Sequence, residues 1–276
     1  MLAEEIRSII RRAPGTLGVV VQDPSGVLVD VGGDRVVPSA STIKVFVLVA
    51  VLRRVADGRS RMGDLLDLPA PAERVGGSGP LQALGSVTRL RLGELLELMV
   101  TLSDNDATNV VLDLVDPAEL AAVAAGLGLA DTRLQRRMMD FAARDAGREN
   151  LTSACDLAAL VAALRRGEAL PPEQTREALE VLGRQQLRDG LPALLPPGVA
   201  CGNKTGELPG IRHDVGLLEC DGRWAAVAVT ATGLGDGPVD HGSAAWPSIA
   251  AVGAAVGAWL SSGTGRTGAL PGPRRP

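Results

Sequence analysis

Apolar and polar positions alternate along this chain in two rhythms, one of helices and one of strands. Residues 1–12 place apolar side chains at helical spacing, with acids early and bases late, as a helix dipole favours. Residues 15–22 read as a strand, Asp23-Pro24-Ser25-Gly26 as a turn, and residues 27–31 as a returning strand. A polar run ending in Ser41 then gives way to an apolar run from residue 43 to 52. This spacing predicts a buried helix, capped by Ser39 or Ser41 and stopping near Asp57-Gly58. Residues 73–85 are glycine-rich and read as a long loop. Leucines at helical spacing over 90–102 break at Ser103-Asp104-Asn105-Asp106, which caps a further helix over 107–114. Asp116-Pro117 opens another helix, ending near Gly126. Residues 131–150 are irregular and charged, and helices follow over 153–166 and 172–182. Two strands, 211–220 and 224–230, flank the turn Asp221-Gly222, and an alanine-rich helix runs from about 242 to 260.

Strands at both ends with helices between do not repeat a βαβ unit. The simplest arrangement is an α+β fold in which the terminal segments form one antiparallel sheet flanked by helices. That domain takes residues 1–35 and 190–262. Residues 36–189 form an all-helical domain, and residues 263–276, rich in Gly, Pro and Arg, read as a disordered tail. A cleft between the two domains is the natural site.

Composition narrows the function. A net charge of −4 and 2% aromatic content leave no basic stripe and little for a base to stack on, which argues against nucleic-acid binding. No apolar run reaches bilayer length, so no membrane partner is expected. The first residues lack the basic and apolar regions of a signal peptide, so a cytoplasmic location is expected. Cys155, Cys201 and Cys220 are scattered and read as reduced thiols; with His213 and His241 they give no zinc spacing, and no cofactor is called for. Gly263-Thr-Gly-Arg-Thr-Gly268 spells a dinucleotide motif but follows a helix and is set aside. Of 28 basic side chains only Lys44 and Lys204 are lysine. Arginine stays charged, whereas burial and neighbours can turn lysine into a base.

Both lysines fall in short motifs. Ser41-Thr-Ile-Lys44 puts a hydroxyl and an amine one helical turn apart. Ser103-Asp104-Asn105 offers a second hydroxyl and an amide, or simply a helix cap. Lys204-Thr205-Gly206 reads as a strand edge whose glycine lets a substrate backbone approach, or simply as a turn. In this order the three resemble the signature of class A β-lactamases and penicillin-binding proteins. The resemblance spans nearly the whole chain. It implies that Ser41 becomes acylated, Lys44 takes its proton, Ser103 passes a proton to the leaving group and Lys204 holds Ser103. It further implies an oxyanion hole from the N–H groups of Ser41 and Glu207, and substrate contacts from Asn105, Thr205 and Gly206. Arg212 or His213 lies where that family places a basic partner for a substrate carboxylate.

One departure shapes the functional expectation. Class A β-lactamases place a glutamate after the middle motif to activate the deacylating water. Counting from both flanks puts Met138 there, and a thioether is no base. Asp140 is two residues off and is a candidate for that role; Glu149 lies close to the next helix. The expectation is therefore a β-lactamase-like serine hydrolase acting on a small ester or amide, with weak turnover of β-lactams. The alternatives are a true class A β-lactamase or D-alanyl-D-alanine carboxypeptidase, and a non-catalytic binding protein on the same fold.

Overall fold

The computed structural model describes residues 1–235 and 244–263. The expected tail, the Gly263–Gly268 spelling beyond its first residue and the expected start of the last helix at 242 lie outside the described residues. The chain opens with α1 (Leu2–Arg12), β1 (Thr16–Asp23) and β2 (Gly26–Val31). It closes with β7 (Ala200–Leu208), β8 (Ile211–Cys220), β9 (Arg223–Thr232) and α9 (Trp246–Ser261). These five strands make one antiparallel sheet in the order β2-β1-β9-β8-β7. The fold is α+β, an antiparallel sheet flanked by helices.

The two faces of the sheet follow from the pleat, which sends alternate side chains to opposite sides. Leu17, Val19 and Val21 of β1 pack with Val227 and Val229 of β9 against Ile6 and Ile9 of α1 and Ile249 and Val252 of α9. Val20, Val215, Leu217 and Ala228 face the other way, into a larger core built around α2 (Ile43–Ala56). Every α2 residue from Ile43 to Leu52 is buried. Around it stand α3 (Leu92–Thr101), α4 (Asn105–Leu112), α5 (Pro117–Leu127), α7 (Ala154–Arg166) and α8 (Pro172–Gly183).

Four features differ from the sequence reading. β7 is a full strand, although Ala-Cys-Gly-Asn-Lys-Thr-Gly-Glu-Leu shows no apolar alternation; its long antiparallel pairing with β8 defines it. The irregular 131–150 stretch contains a short helix, α6 (Phe141–Asp145), and leads into β6 (Leu151–Thr152), which pairs with β3 (Val37–Pro38). β4 (Leu65–Asp67) pairs with β5 (Arg89–Arg91) on either side of the glycine-rich loop. Neither Ser39 nor Ser41 caps α2. Ala40–Thr42 form a 3-10 turn that runs into the helix, and the Thr42 hydroxyl donates back to Ser39 O at 2.6 Å.

That 3-10 turn lies directly on the sheet. A Cβ at Gly206 would fall 3.0 Å from Thr42 Cγ2, 3.1 Å from Thr42 N and 3.2 Å from Ala40 Cβ. Gly206, expected to clear space for a substrate, clears space for the turn that bears Ser41. His213, with Arg212 one of two candidates for a substrate carboxylate, is likewise turned to structural work. It is fully buried, with Nε2 2.9 Å from Pro38 O and Nδ1 2.9 Å from Arg212 O and 3.1 Å from Ala231 N. Burial pushes its pKa down to about 4 from 6.5, so the ring is neutral at neutral pH. It ties β8 to the segment just ahead of Ser41.

This tie has a pH signature. Between pH 6.5 and about 4 the unfolded histidine binds a proton that the folded one refuses, so the stability due to His213 is complete above that window and lost as pH falls through it. The stability difference between the parent and His213→Asn, read from urea unfolding, is expected to shrink as pH falls, by at most about 1.4 kcal/mol per pH unit. A difference that is flat over that window would refute the assignment.

Candidate active site

Three elements converge on one hydroxyl. Lys44, in the first turn of α2, is fully buried. Its Nζ lies 2.7 Å from Ser103 O, 3.1 Å from Ser103 Oγ and 2.9 Å from Asn105 Oδ1. Lys204, on β7 and also fully buried, reaches from the opposite side, with Nζ 3.1 Å from Ser103 Oγ and 2.8 Å from Thr205 O. Ser103 Oγ is therefore held between two amines.

Two buried amines around one hydroxyl disfavour each other's charge. Burial pushes Lys44 well below the usual lysine range; the charge of Lys204 lowers it further and Asp104 opposes the shift. Burial brings Lys204 to about 7, with Asp214 acting to raise it. A neutral Lys44 has two N–H donors, matched by Ser103 O and Asn105 Oδ1, and one lone pair left for a hydroxyl.

The backbone around both serines is bent to the purpose. Ala40, just before Ser41, has φ +47°, and Ser103 has φ +54°. Left-handed conformations of this kind cost non-glycine residues of order 1–3 kcal/mol and persist only when their surroundings fix them. Around Ser103 the surroundings are legible. Asp104 accepts from Ala107 N–H at 2.8 Å, capping α4, and from Leu81 N–H at 2.9 Å. Asp106 accepts from the N–H groups of Val75 (2.8 Å) and Gly76 (3.2 Å), while the Asn105 amide donates to Gly76 O at 2.8 Å. The glycine-rich loop is thus stitched to the start of α4. A Cβ at Gly79 would lie 2.2 Å from Asp104 Oδ2, so only glycine fits there. The sequence reading singled out Asn105 but missed Asp104 and Asp106 as anchors; acids in a first helical turn were the available signal.

The other expected residues are placed as follows. Ser41 is partly exposed in the 3-10 turn, one residue ahead of buried Thr42. Thr205 is buried on β7, and Glu207 is exposed near its end. Arg212 is committed elsewhere: it pairs with Glu207 at 2.7 Å and donates to the carbonyls of Leu208 (2.8 Å) and Ile211 (2.7 Å). Its strand position alternates with that of His213, which puts it on the α9 side of the sheet. There it lines, with Glu207, Leu194 and Trp246, a pocket of about 800 Å³.

In the segment expected to carry a deacylating base, the candidate carboxylates have other partners. Met138 is buried in the α2 core, its backbone clamped by Asn109, which accepts from Met138 N–H at 2.8 Å and donates to Met138 O at 3.1 Å. Asn109 was not foreseen. Asp140, the candidate for that role, is engaged as the N-cap of α6 and accepts from Ala143 N–H at 2.9 Å. Glu149 is paired with Arg136 at 2.8 Å. Between Met138 and Asp140, Met139, at φ +63°, lays its thioether beside Gly77, where a Cβ would meet Met139 Cε at 2.8 Å and Asn105 Nδ2 at 3.2 Å. The three cysteines are free, and no group of metal-ligating side chains occurs among the described residues.

Comparison with known proteins agrees with this arrangement. The Beta-lactamase enzyme family matches residues 1–259. A β-lactamase from Sphaerobacter thermophilus DSM 20745 superposes with a TM-score of 0.82 at 31% identity, covering 95% of this chain and 97% of that one. A leucine-to-glutamate mutant of PBP-A, in an acyl-enzyme complex with penicillin G, gives 0.81 at 30% identity over 95% and 96%. The β-lactamase of Streptomyces albus G is 31% identical over 241 residues, 83% of this chain and 76% of that protein. With residues 1–259 matched in this way, the chain belongs to the β-lactamase enzyme family and is a serine hydrolase.

Proposed function

We propose that this hydrolase works through an acyl-enzyme on Ser41, that its substrate is a small ester or amide, and that β-lactams acylate it but turn over weakly. The observation that carries the reading is the Ser103 hydroxyl held 3.1 Å from each of two buried lysines. In the proposed sequence Ser41 Oγ attacks the carbonyl carbon and its proton passes to the lone pair of Lys44. Lys44 then returns a proton through Ser103 Oγ to the departing nitrogen or oxygen, so the proton count balances. Lys204 keeps Ser103 oriented, and Asn105 orients Lys44. The N–H groups of Ser41 and Glu207 receive the developing oxyanion, and Thr205 contacts the substrate.

Two features favour an ester or amide over a β-lactam as the turned-over substrate. A buried thioether stands where a water-activating carboxylate is expected. Arg212 and His213, the basic side chains that would grip a substrate carboxylate, are neutralised by Glu207 or locked to Pro38. The acyl-enzyme of the PBP-A mutant with penicillin G supports acylation by a β-lactam on this fold.

Intact-mass analysis after incubation with a fluorescent penicillin tests the reading. The parent is expected to carry one adduct that persists, and Ser41→Ala none. Lys44→Arg, which keeps the charge but cannot serve as a base, is expected to slow adduct formation by about 10²–10⁴-fold. An adduct on Ser41→Ala, or an unchanged rate in Lys44→Arg, would overturn the roles.

Met138→Glu places a carboxyl at the expected position, where burial raises its pKa toward that of a general base. Adduct lifetime is expected to fall at least about 10-fold. Rapid penicillin turnover by the parent would show that deacylation has another source.

A further inference from the structure

Behind the lysines, β8 buries a carboxyl that the proposed reaction does not use. Asp214 has no exposed surface. In the β7–β8 register it stands opposite Thr205, while Lys204 stands opposite Val215, so Asp214 projects from the face opposite Lys204. Its Oδ2 accepts from Leu191 N–H at 2.7 Å, and Asn203 Nδ2 lies 2.9 and 3.1 Å from its two oxygens. The chain makes room for it at Gly190, where a Cβ would fall 2.2 Å from Oδ2. None of the hydrogen bonds to this carboxyl comes from a cation.

The pair is one hydrogen short. Asn203 Oδ1 is buried and has no hydrogen-bond partner. An ionised Asp214 has no hydrogen to give it. A protonated Asp214 has one, and a rotation of the amide closes the two-bond ring of an acid–amide pair, with O–H donated to Asn203 and N–H returned.

The charged surroundings are few. α9, packed on this face, carries no titratable residue, and β9 presents Val229 opposite Asp214. On the segment before β7, Asp189 adjoins Gly190 and Arg188 precedes it. On β7, burial holds the thiol of Cys201 well above its usual range, and the Asp214 carboxyl adds to the shift. On β8 itself, Arg212 is neutralised by Glu207 and His213 is neutral. Lys204 is the cation whose field reaches Asp214.

We infer that Asp214 is a positioning residue for the reaction, a carboxyl that shares its proton with Asn203 and, by holding or releasing it, sets the charge on Lys204 and so the grip on Ser103. Burial pushes Asp214 up to about 7 and brings Lys204 down to about 7, and each group's charge favours the charged form of the other. The inference rests on Lys204 acting in the relay.

The test is Asp214→Asn, confirmed folded by circular dichroism. Infrared difference spectra of the parent are expected to show the band of a protonated buried carboxyl between about pH 5 and pH 6, absent from the variant. Removing the carboxylate removes what raises Lys204, so the pH dependence of adduct formation is expected to move about one unit toward acid. The double variant Asn203→Asp/Asp214→Asn, which keeps one carboxyl and one amide, is expected to restore it. A parent lacking the band, or a folded Asp214→Asn with an unmoved profile, would overturn the inference. The infrared band does not depend on Ser41 being acylated, so a failure of the proposed chemistry would be told apart from a failure of the Asp214 assignment.

Discussion

Everything in this site depends on placing two amines where water cannot reach them. A lysine in solvent is a cation and useless as a base. Within an apolar core the charged form is expensive, and a second amine nearby makes it more so. α2 supplies the core for Lys44 with an unbroken run of buried side chains, and β7 supplies the wall for Lys204. The hydroxyl between them is then oriented by donors that have nowhere else to turn.

The rest of the architecture serves that geometry. The sheet is pressed against the turn bearing Ser41 because Gly206 has no side chain, and His213 pins the chain just ahead of that turn. The loop across the site is fixed by two carboxylates at the head of α4. Left-handed backbone at Ala40 and Ser103 is tolerated because these contacts leave the chain no relaxed alternative.

Much of this was legible in the residues. The elements with strong rhythm, α1, β1, α2, α3, α7 and β8, stand where hydrophobic spacing put them. Lys44 and Lys204 were marked by their rarity, and the structure brings both onto Ser103. What could not be read is informative. β7 exists because β8 pairs with it across a two-residue turn, a cause that leaves no apolar alternation in β7 itself. A histidine beside a motif looks the same in sequence whether it faces ligand or carbonyl, and only the register of β8 decides for Pro38. Asp140, two residues from the counted position, was the nearest carboxylate on offer, yet a carboxylate ahead of a short helix finds backbone N–H groups first.

The scarcity of lysine has a practical side. Both side-chain amines are sealed within the folded protein, so an amine-directed reagent meets none of them in the native state. Labelling of Lys44 or Lys204 would therefore count excursions in which helix and strand part company. The chain carries a built-in gauge of how often its own centre opens.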